Sequence, residues 1–235
     1  VYLTLLPVVR HGRLAMLDGA VLCFFLLMMG CLLRCRRNLR YGLGVGIGFG
    51  LMCLTKSILG VLLGAIAFLF LLWDTPRLLT SLYFWTGILI GSLPVAGWYT
   101  AQLLHYGQGF IDASLIDQSL KRIWAPVENH KGPPWYYLLE ILESTWPWLI
   151  FLPQSFRLAW ENRNLGWAKL VLVWSGVYLL AISAMTTKLP WYVLPIYPAF
   201  ALVVGAYLTE IWNWPQTKSY PRAWVAVLAL LAVVG

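Results

Sequence analysis

Charge is what this sequence has least of. Charged side chains make up 11% of the 235 residues against 60% hydrophobic, a balance that excludes a soluble domain with an ordinary polar surface. With nine Asp and Glu and three His in all, the sequence contains no HExxH pair, no Ser/His/Asp set and no glycine fingerprint for a nucleotide. Cysteine is sparse too: Cys23, Cys31, Cys35 and Cys53 have neither metal-ligand nor disulfide-framework spacing, and read as small buried hydrophobes. The net charge of +8 is scattered between apolar runs rather than gathered on one face, which argues against nucleic acid as a partner. No cleavable signal peptide stands out. Nor does any internal repeat, which disfavours a transporter built from two related halves.

What is present is a succession of apolar segments, near 14–33, 41–54, 57–73, 78–99, 134–155, 166–184, 190–211 and 223–235. Several match the roughly 17–25 residues that cross a bilayer, so the fold class is all-α, a polytopic transmembrane helix bundle. Residues 1–235 form one transmembrane domain with one long polar loop, 100–133. Arg34, Arg36, Arg37 and Arg40 crowd a single hinge, which the positive-inside rule places in the cytoplasm. Alternation then puts loop 100–133 and the connections at Lys56 and Lys188 on the opposite, extracytoplasmic side of a plasma (inner) membrane. Neither end reads as natural: the chain opens on Val1 and stops 13 residues after Arg222, so the expectation is an internal fragment of a longer bundle.

Cations at the extracytoplasmic ends are where orientation rules do not put them, and they are the candidates for chemistry. Lys56 lies in Leu54-Thr55-Lys56-Ser57, between two segments too close for an ordinary loop; a lysine there is costly unless an anion or carboxylate neutralises it. Asp18, an acid inside the first complete span, has Arg13 or Lys56 as its nearest partner. Arg122 offers a planar fork suited to phosphate, or else reaches for lipid headgroups. His130 and Lys131 sit in a Pro- and aromatic-rich stretch, where a lone histidine is weak grounds for a metal site. Lys188 precedes Pro190, Pro195 and Pro198, which should bend the helix entrance and free backbone carbonyls. Tyr192 there either offers its hydroxyl to a ligand or anchors at the interface. Gly42, Gly46 and Gly50 fall on one helix face, the small-xxx-small pattern of close helix packing.

Four stretches carry a resemblance: "RLAMLDGAVLCFFLL", "LTKS", "LKRIW…ENHKGPPWYYL" and "TTKLPWYVLPIYPAFALVVGAYL". Together, in this order and spacing, they resemble the lipid-carrier-dependent membrane glycosyltransferases, the family of aminoarabinose transferases and protein O-mannosyltransferases. The resemblance implies a GT-C fold, here truncated at both ends. It implies transfer of a sugar from a polyprenyl-phosphate donor to a lipid, glycan or protein acceptor at the extracytoplasmic face. By motif position Lys56, Arg122 and Tyr192 would hold the donor phosphate, with His130 and Lys131 beside them and Asp18 at an acidic position of the early helix. The family's catalytic carboxylate belongs to a first outer loop upstream of Val1, so no catalytic residue is assigned, and the fragment is expected to be inactive alone. No nucleotide-sugar site is required, no cofactor is assigned, and a divalent metal stays open. The rival from another class is a transporter or flippase of an anionic lipid or solute.

Overall fold

A computed structural model describes residues 1–14, 16–111, 113, 132–215, 224–226 and 229. Among them the fold is all helical, with no strand beyond an isolated bridge at Thr187. A short α1 (Leu6–Gly12) is followed by α2 (Leu17–Cys35), α3 (Gly42–Thr55), α4 (Ser57–Asp74), α5 (Leu82–Tyr106) and a one-turn α6 (Gln108–Ile111). Then come α7 (Tyr136–Ser144), α8 (Leu152–Glu161), α9 (Gly166–Ala184) and α10 (Tyr197–Trp212). Among the described residues five stretches are long and apolar enough to cross a membrane: α2, α4, α5, α9, and Pro190–Trp212, which contains α10. The protein is a multi-pass membrane protein.

The glycine face of α3 packs as its spacing predicts. A Cβ on Gly42 would lie 2.8 Å from the backbone nitrogen of Phe84, and Cβ atoms on Gly46 and Gly50 would overlap the backbones of Gly87 and Gly91. Helices α3 and α5 therefore meet backbone to backbone, a contact only glycine permits.

Two apolar segments behave differently from their sequence reading. The segment expected at 78–99 continues as helix to Tyr106, and stops at Gly107, whose φ of 61° and ψ of −145° fall in a region that glycine almost alone adopts. The run 134–155 is not one helix. The nine residues of α7 reach only about 14 Å, and Trp148–Phe151 forms a 3-10 turn before α8 begins. The local cause is legible. Ser144 and Thr145 turn their hydroxyls back onto the carbonyls of Glu140 and Ile141, and Pro147 has no N–H with which to continue the helix. The segment 223–235 lies almost wholly outside the described residues.

Polar side chains collect at the two ends of the bundle. At one end Asp74, at the close of α4, accepts from Arg36 just after α2 and lies 3.6 Å from Lys169 of α9. Lys169 also donates to the Trp73 carbonyl at 3.3 Å. A Cβ on Gly166 would stand 2.6 Å from the Arg36 guanidinium, which would have to shift to admit it. At the other end lie Asp18, Lys56, Lys188 and Tyr192.

Candidate functional site

Lys56 is the single non-helical residue between α3 and α4, with φ −154° and ψ 89°. The reversal is tight because Gly60, one turn into α4, lets that helix approach α3; a Cβ on Gly60 would sit 2.9 Å from the Cys53 nitrogen. The Lys56 N–H still donates to the Met52 carbonyl and its own carbonyl accepts from Gly60, at 2.8 and 2.9 Å. The backbone is thus satisfied through the break, and the side chain points away from it toward α2. There Nζ donates to both carboxylate oxygens of Asp18, at 2.9 and 3.2 Å. The Asp18 side chain is only 7% exposed and that of Lys56 32%. Of the two partners open to Asp18 in the sequence, the structure selects Lys56.

Tyr192 reaches the same place from a distant part of the chain. Residues Pro190–Ile196 form a 3-10 helix that passes into α10 at Tyr197. In a 3-10 helix each carbonyl accepts from the N–H three residues on. Pro195 and Pro198 have no N–H, so the carbonyls of Tyr192 and Pro195 lose those donors. Both are recovered from α9: the Tyr178 hydroxyl donates to the Tyr192 carbonyl and Trp174 Nε1 donates to the Pro195 carbonyl, each at 2.8 Å. Two donors spaced one turn apart on α9 thus match two orphan acceptors spaced three residues apart. This compensation holds an irregular backbone inside a membrane bundle. It also fixes the Tyr192 ring, whose centroid lies 5.8 Å from Lys56 Nζ, within range of a cation–π contact.

Asp18, Lys56, Tyr178 and Tyr192 are the polar and aromatic residues lining a cavity of about 420 Å³. Its walls are apolar, supplied by Ile58, Leu62 and Ala65 of α4 and by Ala181, Ile182 and Met185 at the close of α9. An ammonium at the head of an apolar slot can hold an anion whose body is hydrocarbon. Lys188 is near but turned elsewhere. Buried at 4% exposure, its Nζ donates to the carbonyls of Ile182 and Ser183 at 3.1 and 2.7 Å and lies 5.1 Å from the Tyr137 ring centroid. It thereby caps carbonyls left open at the end of α9, and burial pushes its ammonium pKa down. Tyr137, whose phenol is pushed up by burial, accepts from the Leu189 N–H at 3.2 Å.

The structure therefore brings Asp18, Lys56 and Tyr192 together and sets Lys188 behind the cavity wall. Arg122, His130 and Lys131 lie outside the described residues. Tyr178 and Trp174 escaped the sequence reading, although prolines that orphan two carbonyls call for donors on a neighbouring helix. Among the described residues no three His, Cys, Asp or Glu side chains gather as metal ligands.

No family model matches the chain. It is 29% identical over 255 residues to an undecaprenyl phosphate-alpha-4-amino-4-deoxy-L-arabinose arabinosyl transferase of Aeromonas salmonicida, an alignment covering 99% of this chain and 46% of that protein. The like-named protein of Erwinia tasmaniensis is 28% identical over 248 residues, covering 100% and 44%. An uncharacterized protein of Aquifex aeolicus is 30% identical over 70% of this chain and 32% of its own length. The chain thus spans less than half the length of the curated relatives it matches. The crystal structure of ArnT from Cupriavidus metallidurans bound to undecaprenyl phosphate superposes with a TM-score of 0.73 at 20% identity, covering 93% of this chain and 40% of that one. The two chains share a fold over that length.

Proposed function

We propose that this chain, a homologue of the undecaprenyl-phosphate aminoarabinose transferases over part of their length, holds the polyprenyl-phosphate-linked sugar donor of a membrane glycosyltransferase. The observation that carries the reading is the cavity with Lys56 at its head and hydrocarbon walls behind. The phosphate sits at Lys56 beside Tyr192, and the first isoprene units lie between α4 and α9. That a relative's name contains undecaprenyl phosphate, and that a structure of the same fold was solved with that lipid bound, support the choice of anion.

Charge balance says what else is needed. Lys56 and Asp18 neutralise each other, so a bound phosphodiester leaves one uncompensated negative charge, and departure of the lipid phosphate adds a second. Arg122 is the proposed second cation, its two parallel N–H groups suited to phosphate oxygens. His130 and Lys131 stand beside it in this reading. In the transfer an acceptor hydroxyl oxygen attacks the anomeric carbon, the bond from that carbon to the phosphate oxygen breaks, and the electron pair stays on the phosphate. The acceptor's proton passes to a base. Cations fixed in an apolar slot stabilise the phosphate as its charge grows. Asp18, holding the ammonium through both oxygens, orients Lys56. The reaction side is extracytoplasmic and the membrane the inner one, in keeping with the arginine hinge at the opposite end of α2.

The test is sugar transfer from a polyprenyl-phosphate donor by the purified full-length protein. Lys56→Met and Arg122→Ala should each lower kcat/KM roughly a hundredfold, Arg122→Lys less, and Arg77→Ala, in the 3-10 turn past the far end of α4, less than twofold. Transport of the lipid without any transfer of its sugar would sink the enzyme reading. In a background lacking native cysteines, Ser119→Cys should be labelled from the extracytoplasmic side; labelling from the cytoplasm alone overturns the assigned side.

A further inference from the structure

The donor cavity does not end at α4. A second cleft of about 330 Å³ lies on the other flank of that helix, between α2, α3, α4 and α5. The two spaces share two lining residues, Val61 and Ala65. Both project from the exposed side of α4, four residues apart on one face, so they form the crest between cavity and cleft. The crest is low. Ala65 carries a single methyl, and its neighbour Gly64 carries none, because the Phe49 ring lies 2.5 Å from where a Cβ would be.

The cleft follows from the packing of α3. With its glycine face drawn onto the α5 backbone, its bulky Val45 and Phe49, one turn apart, are left to face α4. Leu71, Phe84 and Trp85 close the far end. From Lys56 the distance along α4 to Ala65 is about 14 Å, and to Leu71 about 22 Å. The polar groups therefore stand only at the Lys56 end of a slot that runs over the crest and down to the opposite half of the bundle.

We propose that this cleft is a second binding site for the same donor: it takes the distal isoprene units of the polyprenyl chain, which cross α4 at Val61 and Ala65. The proposal rests on the donor reading above, since the head of the slot is the phosphate site. Its occupant is a long unbranched-backbone polyprenyl chain continuous with that head group, rather than the acyl chains of bulk lipid. The site makes the protein selective for chain length, because each further unit that reaches the cleft exchanges mobile lipid neighbours for close packing against fixed apolar walls.

The test measures binding of geranyl phosphate and undecaprenyl phosphate to the full-length protein in nanodiscs. Wild type should bind the long chain at least about tenfold more tightly. Phe68→Trp and Ile88→Trp, which narrow the cleft from two sides and line no part of the donor cavity, should each erase that preference while leaving geranyl phosphate binding within about twofold. Intact short-chain binding also certifies the fold. As a second measurement, an undecaprenyl phosphate carrying a diazirine at its far end should label peptides containing Phe68 to Leu71 or Phe84 to Ile88, and excess unmodified lipid should abolish the labelling. If both variants keep the long-chain preference, or the labelling resists competition, bulk lipid fills the cleft and the inference is overturned. The donor reading is separated by Asp18→Asn/Lys56→Met, in which no charge is orphaned. Loss of binding for both chain lengths upholds that reading whatever the cleft does. Unchanged binding of both removes it and the cleft proposal with it.

Discussion

Gly46→Ala is the most demanding test of the packing. One added methyl would land on the backbone of Gly87 across the α3–α5 contact, overlapping its carbonyl. Neither partner can yield by rotating a side chain, because both surfaces are main chain. To restore ordinary van der Waals separation the helices would have to part by roughly 1.5 Å, and the neighbouring contacts at Gly42 and Gly50 would be opened along with it. Overpacking against a side chain costs about 1–3 kcal/mol; with backbone on both sides the upper end applies, about 3 kcal/mol. Gly176→Ala is the matched control. Gly176 lies in α9 with nothing within 4 Å of its Cβ position, so the exchange should be neutral or stabilising by up to about 1 kcal/mol. Thermal or SDS-induced unfolding of the two variants in the same detergent makes the comparison. Equal midpoints for Gly46→Ala and Gly176→Ala would refute the backbone-to-backbone contact.

Lys56→Met should destabilise the protein by about 2 kcal/mol, below the usual cost of breaking a buried ion pair because the lysine is a third exposed. Asp18→Asn/Lys56→Met should recover most of that loss in the same unfolding assay, and equal losses would deny the pair. Tyr178→Phe leaves the Tyr192 carbonyl without its donor, which should cost about 1–2 kcal/mol and raise the donor KM more than it lowers kcat. An unchanged KM would show that Tyr192 is held by other means. Glu140 is half-buried, and burial foremost, then Glu143, raises its carboxyl pKa, with His11 and Arg10 opposing. Since the folded state keeps that proton to higher pH than the unfolded state, stability falls as pH rises from the unfolded pKa through the folded one. Glu140→Gln should accordingly gain on wild type across that window, and parallel pH–stability curves would contradict it.

Much of the bundle was legible in the sequence because membrane spans depend on length and hydropathy, properties local to a segment. The glycine face of α3 and the reversal at Lys56 were equally local signals. The run 134–155 misled for the same reason. Hydropathy counts carbons, whereas the break after Ser144 comes from hydroxyls bonding backward and from a proline, which the apolar average conceals. Of the site, Asp18 with Lys56 could be paired on paper because an unpartnered charge in a membrane is costly. Trp174 and Tyr178 could not be picked out from their own surroundings, where they look like ordinary apolar-face aromatics. Their role exists only through Pro195 and Pro198, some twenty residues later. Asp74 was passed over because an acid at a span end needs no partner in water, yet here two cations converge on it.

The two ion pairs joining α2 to α4 have the same sequence separation, 38 residues, at Asp18–Lys56 and at Arg36–Asp74. The helices therefore run parallel, tied like uprights by two rungs, with α4's 18 residues setting a rung-to-rung height of about 27 Å. That height is close to the hydrocarbon thickness of a bilayer, about 30 Å. A helix free at its ends meets a thinner membrane by tilting alone. This pair cannot, because tilting α4 without α2 would pull apart one rung or the other. The unit leans as a whole or thins the lipid around it, so membrane thickness becomes a variable to which the cavity beside α4 is mechanically coupled.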